Sequence, residues 1–274
     1  MDQPPLSFPA AHKQPRSPDE VAALARGLLV LRAVADMPGP VGNSEIAALT
    51  GIPKATVSRL AATLVKAELL KQLPDSELFA LGAGALDLGN AYLRGFDLRL
   101  RIKPYLTSLA EVATSAVHVG VLEGLDVVLI ETVRPRSAMM QARLDVGMRM
   151  DLLTSAIGRG YLSGLPDDEQ AALIAQASEA KTRNRAERKR LKEAALHALD
   201  AARSTGYAMS LGEWHPDLNG IAAPFRGPRG ERYAVSCGGP AFLLTEARLV
   251  GKLAAPLLAC IKKIQLETRS APGR

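Results

Sequence analysis

Residues 44–70 read SEIAALTGIPKATVSRLAATLVKAELL. Asn43 and Ser44 offer an N-cap for a short helix over EIAALT, and Gly51 closes it from a C′ position. Pro53 stands where the first turn of a second helix begins, a place that suits its fixed φ and missing N–H. The second helix is predicted to run to about Ala67. On a wheel of about 100° per residue, Val57, Leu60, Ala61 and Leu64 form one apolar stripe. The other side presents Ala55, Ser58, Arg59 and Ala62, with Lys54 and Thr56 exposed at the N-terminal turn.

That outer face has a definite chemistry. Small side chains let the helix backbone come close to a partner surface. Ser and Thr can bond phosphate oxygens, and Arg can fork onto the O6 and N7 of guanine. The free N–H groups of the helix N-terminus also favour phosphate. The face therefore fits a DNA major groove, although a helix, a tight turn and a helix occur widely in proteins that bind nothing.

The flanks extend the pattern. Val21, Leu24, Ala25, Leu28, Leu31 and Ala35 give an upstream helix over Val21–Asp36 its apolar spacing. The stretch MPGPVG (37–42) breaks it. Downstream, LLKQL (69–73) and LFAL (78–81) read as strands joined by a turn at Pro74-Asp75-Ser76-Glu77. Helix, helix, tight turn, helix and hairpin make the winged helix-turn-helix order. Lys71 and Gln72 of the hairpin are further candidates for DNA contact, as is Ser44 at the start of the short helix. The acidic tip, Asp75 and Glu77, argues against phosphate contact there.

Bulk charge does not decide the matter. The chain has 274 residues and a net charge of +6. Residues 1–83 carry as many Asp and Glu as Lys and Arg. The run KTRNRAERKRLK (181–192) has seven basic residues against Glu187 alone, which equals the whole excess. Such a run usually reads as a solvated loop and helix start. Aromatics are 4% of the residues, so the core is aliphatic and leans toward helix. No apolar run is long enough for a membrane span. The proline-rich start, residues 1–20, reads as a disordered arm without a signal-peptide core, and residues 269–274 as a tail; the expected location is cytoplasmic, with no membrane partner. Cys237 and Cys260 lack paired spacing, and His12, His118, His197 and His215 lack metal-ligand spacing, so neither a metal nor a cofactor is expected.

After a helical connector over Gly82–Leu100, a second region begins near Arg99. Lys103–Thr114 reads as an amphipathic helix. Strands are expected at 117–122, 127–133, 139–146, 207–214, 220–226 and 232–239. A helix rich in small residues is expected over Thr154–Leu165, and others over Asp167–Ala177, Glu187–Ser204 and Leu244–Thr268, the last capped by Thr245. Strands flanked by helices indicate an antiparallel α+β sensor-like domain.

In order and spacing, ARGLLVLRAVA (25–35), residues 44–70, FALGAGALDLG (79–89), LTSAIGRGYLSGLP (153–166), GIAAPFRGPRG (220–230) and AVSCGGP (234–240) resemble the IclR family of bacterial transcriptional regulators over about 24–266. The resemblance implies an α+β protein: a winged helix-turn-helix at 21–83, a linker helix at 84–98 and a GAF-like α/β effector-binding domain at 99–268. It also implies dimers or tetramers on a palindromic double-stranded DNA operator, switched by a small organic acid and controlling catabolic genes. The chain departs from the family's common alanine-glycine-lysine-alanine run with Ile157-Gly158-Arg159-Gly160, which bears on the pocket.

By the same resemblance, the effector sits between the sheet and the loop entering the small-residue helix. Ser155, Ala156, Ile157 and Gly158 match that loop, where backbone N–H groups suit a carboxylate. The matching strand positions are Ser210, Leu218, Gly220 and Ser236. Strand alternation puts Ser236 and Gly238 on one face and Cys237 on the other. Arg143, Arg149 and Arg159 are candidate carboxylate partners. His118, on an apolar strand, reads as a satisfied core residue. Two other functions compete: a DNA-binding regulator with a ligand-free sensor domain, and a GAF-like thiol enzyme. The enzyme would need a nucleophile with a partner, and Cys237 has neither a cysteine nor a histidine near it in sequence.

Overall fold

The structure is a computed structural model, and it describes residues 21–136 and 144–269. The arm at 1–20, the tail beyond Arg269 and most of the strand expected at 139–146 lie outside the described residues. The chain divides into two compact units, one up to Gly95 and one from Phe96.

In the first unit, α1 (Ala22–Ala35), α2 (Asn43–Thr50) and α3 (Lys54–Lys66) pack on a small antiparallel sheet. Its strands β1 (Val41–Gly42), β2 (Leu70–Gln72) and β3 (Leu78–Leu81) lie in the order β1-β3-β2. The α2–α3 turn follows the sequence reading. Gly51 is left-handed at φ 70° and donates its N–H to Ala47 O, while Pro53 O accepts from Thr56 and Val57. The start of α2 differs: Gly42, not Asn43 or Ser44, is the capping position, and the Glu45 carboxylate reaches back to its N–H at 3.0 Å. Pairing of Val41 with Phe79 pulls the chain into a strand just before α2, which leaves Asn43 and Ser44 inside the helix.

Val57, Ala61 and Leu64 of α3 are buried beside Val30, Val34, Ile46, Ile52, Leu70 and Phe79. Each fully buried Val or Leu contributes about 1.5–3 kcal/mol. The stripe expected on α1 is corrected. Gly27, Val30 and Val34 face the core, while Leu24, Leu28 and Leu29 are exposed. Gly27 faces Leu60 of α3, whose Cδ2 lies 3.9 Å from where a Cβ would stand, an ordinary contact distance. The connector becomes α4 (Ala83–Arg94), none of whose residues is buried.

The second unit has a six-stranded antiparallel sheet ordered β6-β5-β4-β9-β8-β7. Its strands are β4 (Ala116–Glu123), β5 (Asp126–Val133), β6 (Arg149–Asp151), β7 (Ala208–Leu211), β8 (Leu218–Arg226) and β9 (Arg232–Pro240). α5 (Leu98–Ala113) starts five residues before the helix expected at Lys103 and carries Pro104 inside it. α5 and α10 (Ala254–Arg269) pack against strands of the sheet, and so does α6 (Ala156–Ser163). α7 (Asp167–Lys181) and α8 (Arg185–Thr205) pack on each other, and α8 on α6. The last helix begins at α9 (Glu246–Arg248), where the Thr245 hydroxyl accepts from Arg248 N as anticipated, and runs through a π-helical turn at Leu249–Leu253. The basic run of 181–192 lies on the end of α7 and the first turns of α8, mostly exposed, with Lys181 paired to Asp151 and Lys192 to Glu179.

α6 needs its small residues because it lies at backbone range. A Cβ on Gly160 would stand 2.6 Å from Ala222 Cβ, and one on Gly164 2.6 Å from Pro224 Cβ. A Cβ on Gly158 would meet the carbonyl oxygens of Asp151 and Leu152 at 2.5 Å.

Candidate functional site

On α3, Lys54, Ala55, Ser58 and Arg59 are exposed on the side away from Val57, Ala61 and Leu64. The Arg59 guanidinium and Lys54 ammonium form no ion pair among the described residues. Thr56, read as exposed, is half-buried, because it sits one residue before buried Val57 on the turn bonded to Pro53. Ser44 is exposed in the first turn of α2, and Lys71 is exposed on β2. Gln72 is less available than its sequence position implied: its Nε2 donates to Ser76 O and closes the hairpin turn.

The second unit contains a cavity between α6 and one face of the sheet, with about 440 Å³ of space inside it, part of it open to solvent. Register builds the floor. His118 of β4 pairs with Thr132 of β5 and Ser236 of β9, so these three side chains share a face. Gly238 pairs with Gly220, and Gly220 with Ser210, which continues that face toward β7. The glycines keep it low: a Cβ on Gly220 would stand 3.1 Å from Ala156 Cβ. Ser155, Ala156 and Ile157 form the roof, Leu129, Leu144 and Met150 one wall, and Trp214, Leu218 and Asn219 the other.

Seven of the eight positions expected to touch an effector border this cavity: Ser155, Ala156, Ile157, Ser210, Leu218, Gly220 and Ser236. Gly158 does not. Its N–H is taken by the Ser155 hydroxyl at 3.0 Å, and its backbone lies against the Asp151 and Leu152 carbonyls. The Ser155 hydroxyl also donates to Asp151 O at 2.6 Å, so it acts as the N-cap of α6. The N–H groups of Ala156 and Ile157 make no hydrogen bond among the described residues and lie at the cavity roof. Asp151 anchors the turn below them. Its carboxylate accepts from Leu153 N, Thr154 N, Thr154 Oγ1 and Lys181 Nζ. Burial pushes that carboxyl up, but Lys181 and the Thr154 bonds outweigh it and hold its pKa below the ordinary value.

Of the three candidate arginines, two lie away from the cavity and one is not described. Arg159 is buried and turned away from the cavity, donating to Leu153 O, Met209 O and Glu213 Oε1. Arg149 is exposed and pairs with Asp126. Arg143 lies outside the described residues. Among the described residues, no Asp, Glu, Lys or Arg side chain borders the cavity.

His118 is the residue that sequence reasoning undervalued. It is buried, and its Nδ1 lies 3.1 Å from Thr132 Oγ1, yet Nε2 has no hydrogen-bond partner among the described residues. Ser210 Oγ is likewise buried and unpartnered. Burial, then the nearby Arg134, push the His118 pKa down to about 4, against a smaller opposing pull from Asp145. The imidazole is therefore neutral at pH 7. Cys237 is fully buried, and burial followed by the neighbouring Cys260 raises its thiol pKa, so the thiolate is disfavoured there.

Known proteins align with both units. The family description "IclR helix-turn-helix domain" matches residues 23–74, and "Bacterial transcriptional regulator IclR C-terminal" matches residues 90–266. The HTH-type transcriptional regulator TsaQ1/TsaQ2 of Comamonas testosteroni is 32% identical over 92% of this chain and 90% of its own. A crystal structure of an IclR family transcriptional regulator from Brucella abortus superposes with a TM-score of 0.74 at 32% identity, covering 96% of this chain and 97% of that one. An IclR homologue from Microbacterium hydrocarbonoxydans, crystallised with 4-hydroxybenzoate, shares the fold at a TM-score of 0.70 and 22% identity, covering 91% of this chain and all of that one.

Proposed function

The chain belongs to the IclR family of bacterial transcriptional regulators and is a DNA-binding regulator rather than an enzyme; from that premise we propose that it senses a small organic acid and controls catabolic genes through an operator. In this reading residues 21–83 form the DNA-binding domain, 84–98 the linker and 99–268 the effector-binding domain. Lys54, Ala55, Thr56, Ser58 and Arg59 read or grip an operator half-site, with Ser44 and Lys71 on its backbone. The effector carboxylate lies under the N-terminus of α6, and Ser210, Leu218, Gly220 and Ser236 line its seat.

One observation carries the effector half. Among the described residues the cavity has no charged side chain on its walls, but the N-terminus of an eight-residue helix borders it with two N–H groups that no described residue accepts from. Such an end favours an anion without any cation. The homologue that was crystallised with 4-hydroxybenzoate supports the same class of ligand.

A second copy of the chain is the proposed partner of the first unit, giving a dimer or tetramer. Leu24, Leu28 and Leu29 of α1 and Leu86 and Leu88 of α4 are exposed and offer apolar side chains that a second copy could cover. Two copies would present two recognition helices to a palindrome at about one helical turn of DNA.

Thermal melting of the full-length chain against a panel of organic acids tests the sensor reading. An acid that binds the folded state raises the melting temperature. No stabilisation by any acid would leave a DNA-binding regulator with a ligand-free sensor domain.

A further inference from the structure

The cavity has polar groups at two separated ends. His118 sits on β4 and Ser210 on β7, three strands apart in the order β4-β9-β8-β7. At about 4.8 Å per strand their backbones are about 14 Å apart. Between them the floor is Ser236, Gly238 and Gly220, and the roof is Ala156 and Ile157. The α6 N-terminus lies over β8, the strand next to Ser210, because Ala156 stands over Gly220.

Each end holds a buried polar atom that has no partner among the described residues. At one end this is Ser210 Oγ, and at the other it is His118 Nε2. A buried donor or acceptor left unmade costs about 1–3 kcal/mol, so two such atoms in one cavity mark where a ligand supplies bonds. The His118 ring is fixed by Thr132 at Nδ1, which turns Nε2 away from β5. In either tautomer Nε2 offers one hydrogen bond, as donor or acceptor.

We propose that the effector is a two-ended acid, with its carboxylate under the α6 N-terminus beside Ser210 and a second hydrogen-bonding group, such as a hydroxyl, at its far end on His118 Nε2. The inference rests on the reading of the cavity as an organic-acid site. It adds that acids of two or three carbons engage one end only, and that His118 determines specificity.

Isothermal titration of the full-length protein tests it with two matched pairs of probes, benzoate with 4-hydroxybenzoate and hexanoate with 6-hydroxyhexanoate. In at least one pair the hydroxylated acid is expected to bind about fivefold or more tighter, the worth of one added hydrogen bond. His118→Leu should bring that ratio to about one while leaving the unsubstituted acid's affinity within about twofold, and His118→Gln, which keeps a hydrogen-bonding group, should restore part of it. Ser210→Ala should weaken both acids of a pair alike. Equal affinity within both pairs, or a preference that survives His118→Leu, overturns the two-ended ligand and leaves the acid site standing. Failure of all four acids to bind overturns both.

Discussion

Arg59 and His118 carry opposite kinds of information. Arg59 is exposed on α3 and forms no ion pair among the described residues, so its value lies in what it meets. If it forks onto a guanine in the major groove, Arg59→Ala costs about 1–3 kcal/mol of operator affinity and relaxes specificity at one base pair. Fluorescence anisotropy across single-base operator variants reads both effects, and a uniform loss over all variants would make Arg59 a phosphate contact instead. His118 is buried, and its pKa near 4 lies below the ordinary 6.5. A lowered folded pKa means that the unfolded chain takes up the proton first. Stability is therefore full above about pH 6.5 and falls as the pH drops toward 4, by about 3 kcal/mol in all. Arg134 and Asp145 are the charged groups acting on this ring, with opposite sign. Urea unfolding of the native chain and of His118→Leu at pH 7 and pH 5 should show the native chain losing more on acidification; parallel losses would contradict the assignment.

At the scale of elements, α6 is held by what it lacks. Ala is a better helix former than Gly by about 1 kcal/mol, so Gly158→Ala gains on propensity alone. The new Cβ would lie 2.5 Å from two backbone carbonyl oxygens, which cannot rotate aside. Overpacking of this kind costs about 1–3 kcal/mol, and it also disturbs the Ser155 cap. Gly158→Ala is thus expected to lower the melting temperature and weaken acid binding together; an unchanged melting temperature would refute the close packing. Much of this was legible in the sequence. The α2–α3 turn could be read from Gly51 and Pro53, and the floor from strand alternation at Ser236 and Gly238. Other features were not legible because they depend on pairing across the fold. α1 carries apolar residues on several sides, and only packing against the rest of the unit selects the buried one. Arg159 looked like a carboxylate clamp until Leu153, Met209 and Glu213 surrounded it. His118 looked like a satisfied core residue, since nothing in its own strand tells that Thr132 occupies one ring nitrogen and nothing occupies the other.

At the scale of the whole molecule, placement replaces bulk charge. Residues 1–83 have no net charge, and the basic excess sits on α7 and α8, far along the chain. A neutral DNA-binding unit gains little from long-range attraction, so in the proposed dimer the spacing of the two copies would matter more than charge. In the proposed reading, operator affinity would then be sensitive to any change in their spacing, and an effector would act by favouring one arrangement over another. The central claim is this coupling between an acid in the second unit and DNA on the first. Its most direct test is the affinity of the full-length chain for its operator, by fluorescence anisotropy, with and without a saturating acid that raises its melting temperature. The coupling predicts a shift of about fivefold or more in either direction. An acid that stabilises the protein and leaves operator affinity unchanged would contradict it.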